Sequence, residues 1–333
     1  MGRESKQLGW GLIGPGRFAA EFCEELVRVE RCRPVAVASR NAEKARKFSD
    51  RFQFETAYGS YEELFADDRI DIVYIVVPHV FHADLARRAI LAGKAVLCEK
   101  PLTPDPQSTR ELIELAQRRQ VFLMEAMKTG FLPAIQTAKK WIDSGRIGEP
   151  RLAQADFCFS GPSDPNDRLM NPDLGGGAVL DVGIYPLHLT RFLLGDVVSL
   201  SATGSLASTG VEDSAAMVTK HASGASAVMT CSFCTDEAMS ASIFGTEGTI
   251  EIPLFHAART VLLKGGEEVV EEFSSDDGGM VTAEIEAVTD AVLEGKLECP
   301  GHTHADSLRL SELMHEVRVQ VGSGKGAQLP RED

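Results

Sequence analysis

Three polar side chains stand at helical spacing in an otherwise apolar segment of this 333-residue chain. Asp181, Tyr185 and His188 are separated as positions i, i+4 and i+7. A helix over residues 178–194 would therefore place all three on one face. A carboxylate and two hydrogen-bonding rings are costly to bury among apolar residues unless they have partners. The stripe indicates either a site for a polar ligand or a satisfied buried network.

A lysine follows a segment that is predicted to be a buried strand. Residues 95–98 form this strand, and Glu99, Lys100 and Pro101 come directly after it. Ligands of doubly wound sheets bind beyond the carboxyl ends of the strands, so we expect Lys100 to face a ligand. The alternative is a lysine in an exposed loop. The proline opposes this alternative in part, because it restricts the backbone of the residue before it.

A glycine-rich turn between the first strand and the first helix is typical of a dinucleotide site. Gly14, Gly16 and Ala19 fit the pattern G-x-G-x-x-[GA]. The first glycine allows a tight turn, the second lets the backbone approach a pyrophosphate, and the third packs helix on strand. The start of the helix adds N–H groups and a partial positive charge. We therefore predict a dinucleotide site that includes Gly14, Gly16, Arg17 and Phe18.

The end of the second strand indicates which dinucleotide binds. An NAD site is expected to place a carboxylate about 20 residues after the glycines, where it holds the ribose 2′-hydroxyl. The chain has Ser39 and Arg40 there instead. A hydroxyl and a guanidinium suit a 2′-phosphate, so we predict NADP(H) in preference to NAD(H). The alternative is that Arg40 only covers a solvated loop.

Other strand ends are expected to complete the cofactor site. Pro78 and His79 follow the predicted strand of residues 70–77, and Glu99 follows the next strand. We predict that His79 lines the cofactor cleft and that Pro78, Glu99 and Lys100 also contribute to it. His79 and His82 could suggest a metal site, but no acidic or cysteine cluster is close to them in the sequence. We therefore predict no metal.

The elements that carry these residues fall into two groups. Strand and helix patterns alternate over the first part of the chain, which predicts a doubly wound parallel sheet. From Arg151 onward, strand-like segments follow one another with one long helix among them, which predicts a mostly antiparallel sheet with helices on one face. The predicted fold is an α/β Rossmann domain over residues 1–127 and an α+β domain with a large open sheet over residues 128–333.

Composition excludes several classes of partner. Lys and Arg number 34 and Asp and Glu number 49, so the net charge is −15 and the general surface should not attract nucleic acid or anionic membrane. No apolar run approaches the roughly 18–20 residues that span a bilayer. The first residues lack the apolar stretch of a signal peptide, so we expect a cytoplasmic protein.

The motifs together resemble those of the Gfo/Idh/MocA oxidoreductase family. The resemblance covers essentially the whole chain and rests on the glycine-rich first turn, on Glu99-Lys100-Pro101, and on Asp181-x-Gly183-x-Tyr185 after three glycines. Tyrosine at position 185 resembles the branch that contains dimeric dihydrodiol dehydrogenases and NADP-dependent xylose dehydrogenases. This chain departs from that branch at residues 128–131. The branch has Trp-x-Arg-Phe there, whereas this chain has Lys128-Thr129-Gly130-Phe131. By resemblance, the Lys100–Pro101 bond is a candidate cis peptide.

The resemblance implies hydride transfer between NADP(H) and a sugar, polyol or cyclic diol. The hydroxyl proton must leave as the hydride leaves carbon, and a free tyrosine is a poor base near neutrality. A nearby lysine would lower the pKa of Tyr185, so Lys100 and Tyr185 can form an activator and base pair, or Lys100 can transfer the proton itself. Asp181 would orient Lys100 or the substrate, and the predicted substrate-binding residues are Lys100, Asp181, Tyr185 and His188.

Other functions are compatible with the same fold. One is a catalytically inactive dinucleotide-binding regulator, and retention of Lys100, Asp181 and Tyr185 favours the enzyme over it. Another is a glycosidase-like enzyme with tightly held NAD, which Ser39 and Arg40 disfavour. A large sheet with helices on one side leaves an apolar face, so we also predict a homodimer or a higher homo-oligomer.

Overall fold

The structure is a computed structural model that describes residues 7–275 and 279–324. Within them the chain divides into two compact units. The first unit comprises residues 7–131 and 279–308, and the second comprises residues 132–275 and 309–324. The sequence analysis divides the chain once, after residue 127. It does not predict that residues 279–308 belong to the first unit.

The first unit contains a six-stranded parallel sheet of order β3-β2-β1-β4-β5-β6. Its strands are β1 (Leu8–Ile13), β2 (Cys32–Ala38), β3 (Thr56–Tyr58), β4 (Ile72–Ile75), β5 (Ala95–Glu99) and β6 (Leu123–Ala126). Its first helices are α1 (Arg17–Leu26), α2 (Ala42–Phe52), α3 (Tyr61–Phe65), α4 (His82–Leu91) and α5 (Pro106–Arg119). The sheet and its alternating helices confirm the predicted Rossmann fold.

The second unit contains a mostly antiparallel sheet, as predicted. Its strands are β7 (Pro150–Ser160), β8 (Val197–Leu206), β9 (Glu212–His221), β10 (Ser226–Ser232), β11 (Cys234–Ala238), β12 (Ala241–Gly245), β13 (Thr249–Ile252), β14 (Thr260–Gly265) and β15 (Glu268–Ser274). They run in the order β15-β14-β13-β12-β7-β10-β9-β8, and β11 also pairs with β7. Strands β7 and β10 are parallel to each other, and the other pairs are antiparallel. Its helices include α6 (Pro133–Asp143) and α7 (Ile184–Leu194).

Two further helices lie in the last part of the chain, α8 (Thr282–Leu293) and α9 (His304–Val321). Helix α8 belongs to the first unit, because its apolar residues join the core cluster that contains Trp10 and Phe22. The carboxylate of Glu25 on α1 fixes the start of α8. It accepts hydrogen bonds from the backbone N–H groups of residues 280 and 281, both at 2.8 Å, and from the hydroxyl of Thr282.

The two core clusters of the first unit lie on opposite faces of its sheet. Alternate residues of β1 point to different clusters, since Leu12 belongs to one and Ile13 to the other. Both faces of the sheet are therefore buried, and ligands can approach it only at its edges. Among the described residues, no helix is both long enough and apolar enough to cross a bilayer.

Candidate active site

The glycine-rich turn leads from β1 into α1 in the first unit. Gly14 has φ +93°, and a Cβ atom there would lie 2.2 Å from the carbonyl oxygen of Val76. Only glycine fits this position, because a side chain would have neither a relaxed backbone nor space. The turn therefore stays tight against the end of β4, as the motif predicts.

The start of α1 is open for an anionic ligand. A Cβ atom on Gly16, the N-cap of the helix, would meet only the carbonyl oxygen of Gly14 at 3.8 Å. No side chain caps the helix, and its first turn carries no acidic residue. Free N–H groups and the helix dipole suit a pyrophosphate at this point. The residues present therefore fit a dinucleotide, and Arg17 and Phe18 begin the helix beside it.

The end of β2 carries the two residues that are predicted to select the cofactor. The Ser39 hydroxyl oxygen accepts a hydrogen bond from the N–H of Asn41 at 3.2 Å, and Asn41 in turn caps α2. Arg40 is exposed, and its guanidinium carbon lies 5.8 Å from the ring centroid of Phe81. A flat cation beside an aromatic ring at a strand end can hold a phosphate and support an adenine ring.

Pro78 and His79 follow β4 and begin a short 3-10 helix that runs into α4. The imidazole of His79 is buried, and its ring centroid is 5.6 Å from that of His82. The nitrogens of His82 contact the carbonyl oxygens of Val77 at 2.9 Å and Pro101 at 2.8 Å. Burial lowers the pKa of His82. This buried ring joins the segment after β4 to the segment that follows Lys100.

The segment after β5 positions Lys100. The Lys100–Pro101 peptide bond is cis, as the resemblance predicts. The next N–H, that of Leu102, donates to the buried carboxylate of Glu125 at 2.7 Å. His302 contacts the other oxygen of this carboxylate at 3.0 Å. Because buried polar partners hold the residues on its carboxyl side, Lys100 has a fixed place at the carboxyl edge of the sheet.

Glu99 lies beside Lys100 and has a buried partner of its own. The hydroxyl of Tyr74, on β4, donates to its carboxylate at 2.6 Å, and the N–H of Lys100 donates at 3.2 Å. Burial raises the pKa of Glu99, and burial together with the charge of Glu99 raises that of Tyr74. The carboxylate of Glu99 is therefore held at the edge where β4 and β5 end, next to the backbone of Lys100.

The second unit holds the other predicted group. Asp181 and the four residues around it form one π-helical turn, Val179–Gly183, and α7 begins only at Ile184. The predicted helix over residues 178–194 is present over its whole length, but residues 179–183 are π-helical instead of α-helical. The wide turn packs closely on β10, because a Cβ atom on Gly183 would lie 3.0 Å from the sulfur of Cys231. Burial raises the pKa of that thiol.

Asp181 and Tyr185 each have neighbours that the sequence-based prediction does not include. Arg168 donates from Nη1 to the carboxylate of Asp181 at 3.1 Å. The ring of Tyr185 lies 5.2 Å from that of Phe157 and 6.1 Å from that of His256. The rings of Phe157 and His256 stack at 4.1 Å. An ion pair of Arg168 and Asp181 and an aromatic wall of Phe157, Tyr185 and His256 thus lie at the start of α7.

His188 is one turn further along α7 and is buried. Its ring stacks on that of Phe192, with centroids 5.9 Å apart and planes inclined by 12°. The predicted stripe of Asp181, Tyr185 and His188 is therefore buried in the second unit. In the part of the chain that the structure describes, no three His, Cys, Asp or Glu side chains are grouped as metal ligands.

The structure brings the predicted cofactor residues to one edge of one sheet. The parallel strands β1, β2, β4 and β5 all end there, with the glycine turn, Ser39-Arg40, Pro78-His79 and Glu99-Lys100 after them. The predicted substrate residues other than Lys100 lie together in the second unit. Arg168, Phe157 and His256 were missed. Arg168 follows a polar loop and His256 lies in a short 3-10 turn, so neither shows a periodic pattern.

Comparison with known proteins gives two matches to one family. Residues 8–127 match an oxidoreductase family described as having an NAD-binding Rossmann fold. Residues 135–251 match the domain described as the GFO/IDH/MocA C-terminal domain. The first match covers the sheet with the glycine turn, and the second covers Asp181, Tyr185 and His188.

Individual relatives align over nearly the whole chain. The trans-1,2-dihydrobenzene-1,2-diol dehydrogenase of Danio rerio is 34% identical over 95% of this chain and 97% of its own length. That of Homo sapiens is 31% identical over the same shares. Among solved structures, a 3-ketoreductase from Actinomadura kijaniata in complex with NADP and TDP-benzene has a TM-score of 0.84 and 28% identity. The alignment covers 95% of this chain and 98% of the chain of that structure.

Proposed function

The chain belongs to the GFO/IDH/MocA oxidoreductase family, and we propose that it is an NADP(H)-dependent dehydrogenase of a ring-shaped sugar or diol. It is a dehydrogenase that acts on hydroxyl groups and uses a nicotinamide dinucleotide. The choice of NADP(H) depends on the exposed Arg40 at the end of β2, a position where an NAD site is expected to have a carboxylate.

The reaction class requires a hydride and a proton to leave the same alcohol. When bound, the nicotinamide accepts the hydride from the carbon atom and returns it in the reverse direction. Two side chains of the chain can take the hydroxyl proton in their deprotonated forms, Tyr185 as a phenolate or Lys100 as an amine. Asp181, held by Arg168, orients a substrate hydroxyl by accepting its hydrogen bond. The products are then a carbonyl compound, reduced cofactor and one proton.

The second unit supports a cyclic substrate with neighbouring hydroxyls. Asp181 can accept and Arg168 can donate hydrogen bonds only 3.1 Å apart, which suits two oxygens on adjacent carbons. We infer that the aromatic wall of Phe157, Tyr185 and His256 packs against the C–H face of a ring-shaped substrate. Relatives named for a dihydrobenzene diol favour this class.

A substrate panel tests the proposal directly. Aldoses, open-chain polyols and trans-dihydrodiols are each supplied with NADP⁺, and NADPH fluorescence measures the rate. We expect turnover with cyclic diols or pyranoses and little with open-chain polyols. Tight cofactor binding with no turnover on any compound would instead favour the inactive regulator.

Arg40 is expected to set the cofactor preference. The wild-type enzyme should prefer NADP⁺ over NAD⁺ by at least about tenfold in kcat/KM, which corresponds to about 1.4 kcal/mol. Arg40→Asp should erode or reverse this ratio, because the carboxylate repels a 2′-phosphate and accepts from a 2′-hydroxyl. Arg28→Asp is the control, since Arg28 is an exposed arginine just after the carboxyl end of α1. A wild-type preference for NAD⁺ would refute the assignment.

The outer face of the second sheet supports a homodimer. Val218 on β9 and Val228 on β10 pair directly across the strands and are 51% and 41% exposed. Their neighbours along the strands, Met217 and Met229, are fully buried on the opposite face. We infer that a second copy of the chain covers these paired apolar side chains, which otherwise face water.

Charges on this face are expected to separate the dimer. The double variant Val218→Lys/Val228→Lys places four ammonium groups in a two-fold interface, so light scattering should report a monomer at micromolar concentration. Val319→Lys is the matched control, because Val319 is 52% exposed but lies on α9. A wild-type protein that is already monomeric would contradict the proposal, as would a double variant that stays dimeric.

A further inference from the structure

A buried polar cluster in the first unit has no role in the proton transfer described above. Lys128 and Thr129 begin the short 3-10 helix that follows β6, and Glu284 lies on α8. Their exposed fractions are 7%, 0% and 2%. We call these three residues the Lys128 cluster. Such groups are rarely buried without a partner, because the loss of hydration is costly.

The polar groups of the Lys128 cluster have few hydrogen-bond partners among the described residues. The ammonium of Lys128 donates only to the sulfur of Met280, at 3.8 Å, among the described residues. A thioether is a weak acceptor. The Thr129 hydroxyl and the Oε1 atom of Glu284 have no hydrogen-bond partner within residues 7–275 and 279–324. Burial lowers the pKa of Lys128, and burial followed by the charge of Glu99 raises that of Glu284.

The cluster lies at the ligand-binding edge of the parallel sheet. The Lys128 nitrogen is 5.2 Å from the ring centroid of Phe18, which is in the first turn of α1. The charge of Glu99, at the end of β5, also acts on this nitrogen. Lys128 therefore lies close to the start of α1 and within electrostatic range of the carboxylate of Glu99.

The strand order indicates which half of a dinucleotide is near this cluster. Strand β2, with Arg40, is on one side of β1, and β4, β5 and β6 are on the other. A dinucleotide whose pyrophosphate lies at α1 and whose ribose phosphate lies at Arg40 must extend its nicotinamide toward β5 and β6. The ammonium of Lys128 is thus a buried positive charge on the nicotinamide side.

We propose that Lys128 sets the relative affinity of this protein for the oxidised and reduced cofactor. This inference rests on the proposed function, because it requires a nicotinamide dinucleotide at this edge. The oxidised nicotinamide ring carries a positive charge that the reduced ring lacks. A buried ammonium repels the oxidised ring and leaves the reduced ring unaffected, while the carboxylate of Glu99 acts in the opposite direction. Lys128 therefore shifts the balance toward the reduced cofactor.

The test is the ratio of two dissociation constants, Kd of NADP⁺ divided by Kd of NADPH, measured by fluorescence titration. Lys128→Met should lower this ratio on the order of tenfold, because it removes one unit of positive charge from the nicotinamide side of the sheet edge. Lys128→Arg keeps the charge and should keep the ratio. Lys296→Met is the matched control, since Lys296 is an exposed lysine of the same unit.

A second variant covers the case in which Lys128→Met does not fold. Glu99→Gln removes the opposing charge and should raise the same ratio. An unchanged ratio in Lys128→Met overturns the inference, and an unchanged ratio in Glu99→Gln overturns it where Lys128→Met does not fold. Equal weakening of both cofactor forms also overturns it, because that result indicates a merely structural role. A wild-type protein that binds neither form contradicts the proposed function instead.

Discussion

Replacing Lys100 by methionine should lower kcat by about 10²–10⁴-fold, the range that a lost proton-transfer group produces. Methionine keeps the length and much of the bulk of the side chain but cannot carry or exchange a proton. The affinity for NADPH should stay nearly unchanged, because the phosphate and ribose contacts are expected from the glycine turn and from Ser39 and Arg40. Steady-state kinetics and NADPH titration measure the two effects separately.

The control for this experiment is Lys47→Met, which removes an exposed lysine that pairs with Glu43 on α2. Its kcat and cofactor affinity should match those of the wild type. The cis peptide segment after Lys100 is held by His82 and Glu125, so loss of the ammonium should leave the fold in place. Full activity of Lys100→Met would end the proposed role of this residue.

Tyr185→Phe should also lower kcat strongly, because it removes a hydroxyl and keeps the ring that packs beside Phe157. The sharper expectation concerns the double variant with Lys100→Met. If both groups act as one proton-transfer unit, the double variant should be little worse than the poorer single variant. Losses that multiply would show that the two side chains act independently.

The kinetic pattern also distinguishes the two roles of Tyr185. If Lys100 alone transfers the proton and Tyr185 only orients the substrate, Tyr185→Phe should mainly raise KM and leave kcat close to normal. Phe159→Leu is a useful control, because it changes another aromatic residue of β7 that lies near Phe157. Full activity of Tyr185→Phe would exclude this side chain from the chemistry.

Local patterns predicted the parallel sheet well, but the lengths of its strands depend on their neighbours. The β-branched run of residues 70–77 predicts one long strand, whereas β4 covers only Ile72–Ile75. Strand β4 pairs with β1 from Trp10 to Ile13, and β1 then turns away at Gly14. Side-chain types show that a segment favours a strand. They do not show where the adjacent strand stops.

The candidate site likewise contains residues that local sequence patterns indicate and contacts that they do not. The glycine turn, Lys100 and Tyr185 belong to motifs that are short in sequence, so local residue types indicated them, and their roles stay predictions. The contact of Arg168 with Asp181 spans 13 residues of irregular chain and has no pattern of residue types. The π-helical turn at Val179–Gly183 was missed for a related reason, since residue types alone do not separate i+4 from i+5 hydrogen bonding.

The return of residues 279–308 to the first unit has a consequence for how the protein is made. Glu25 emerges from the ribosome some 250 residues before the N–H groups that satisfy its buried carboxylate. The parallel sheet therefore cannot complete its core as soon as its own six strands have been synthesised. A gene fragment cut after residue 131 would encode every strand of that sheet and the glycine turn, yet it would lack α8 and leave apolar core residues exposed to water.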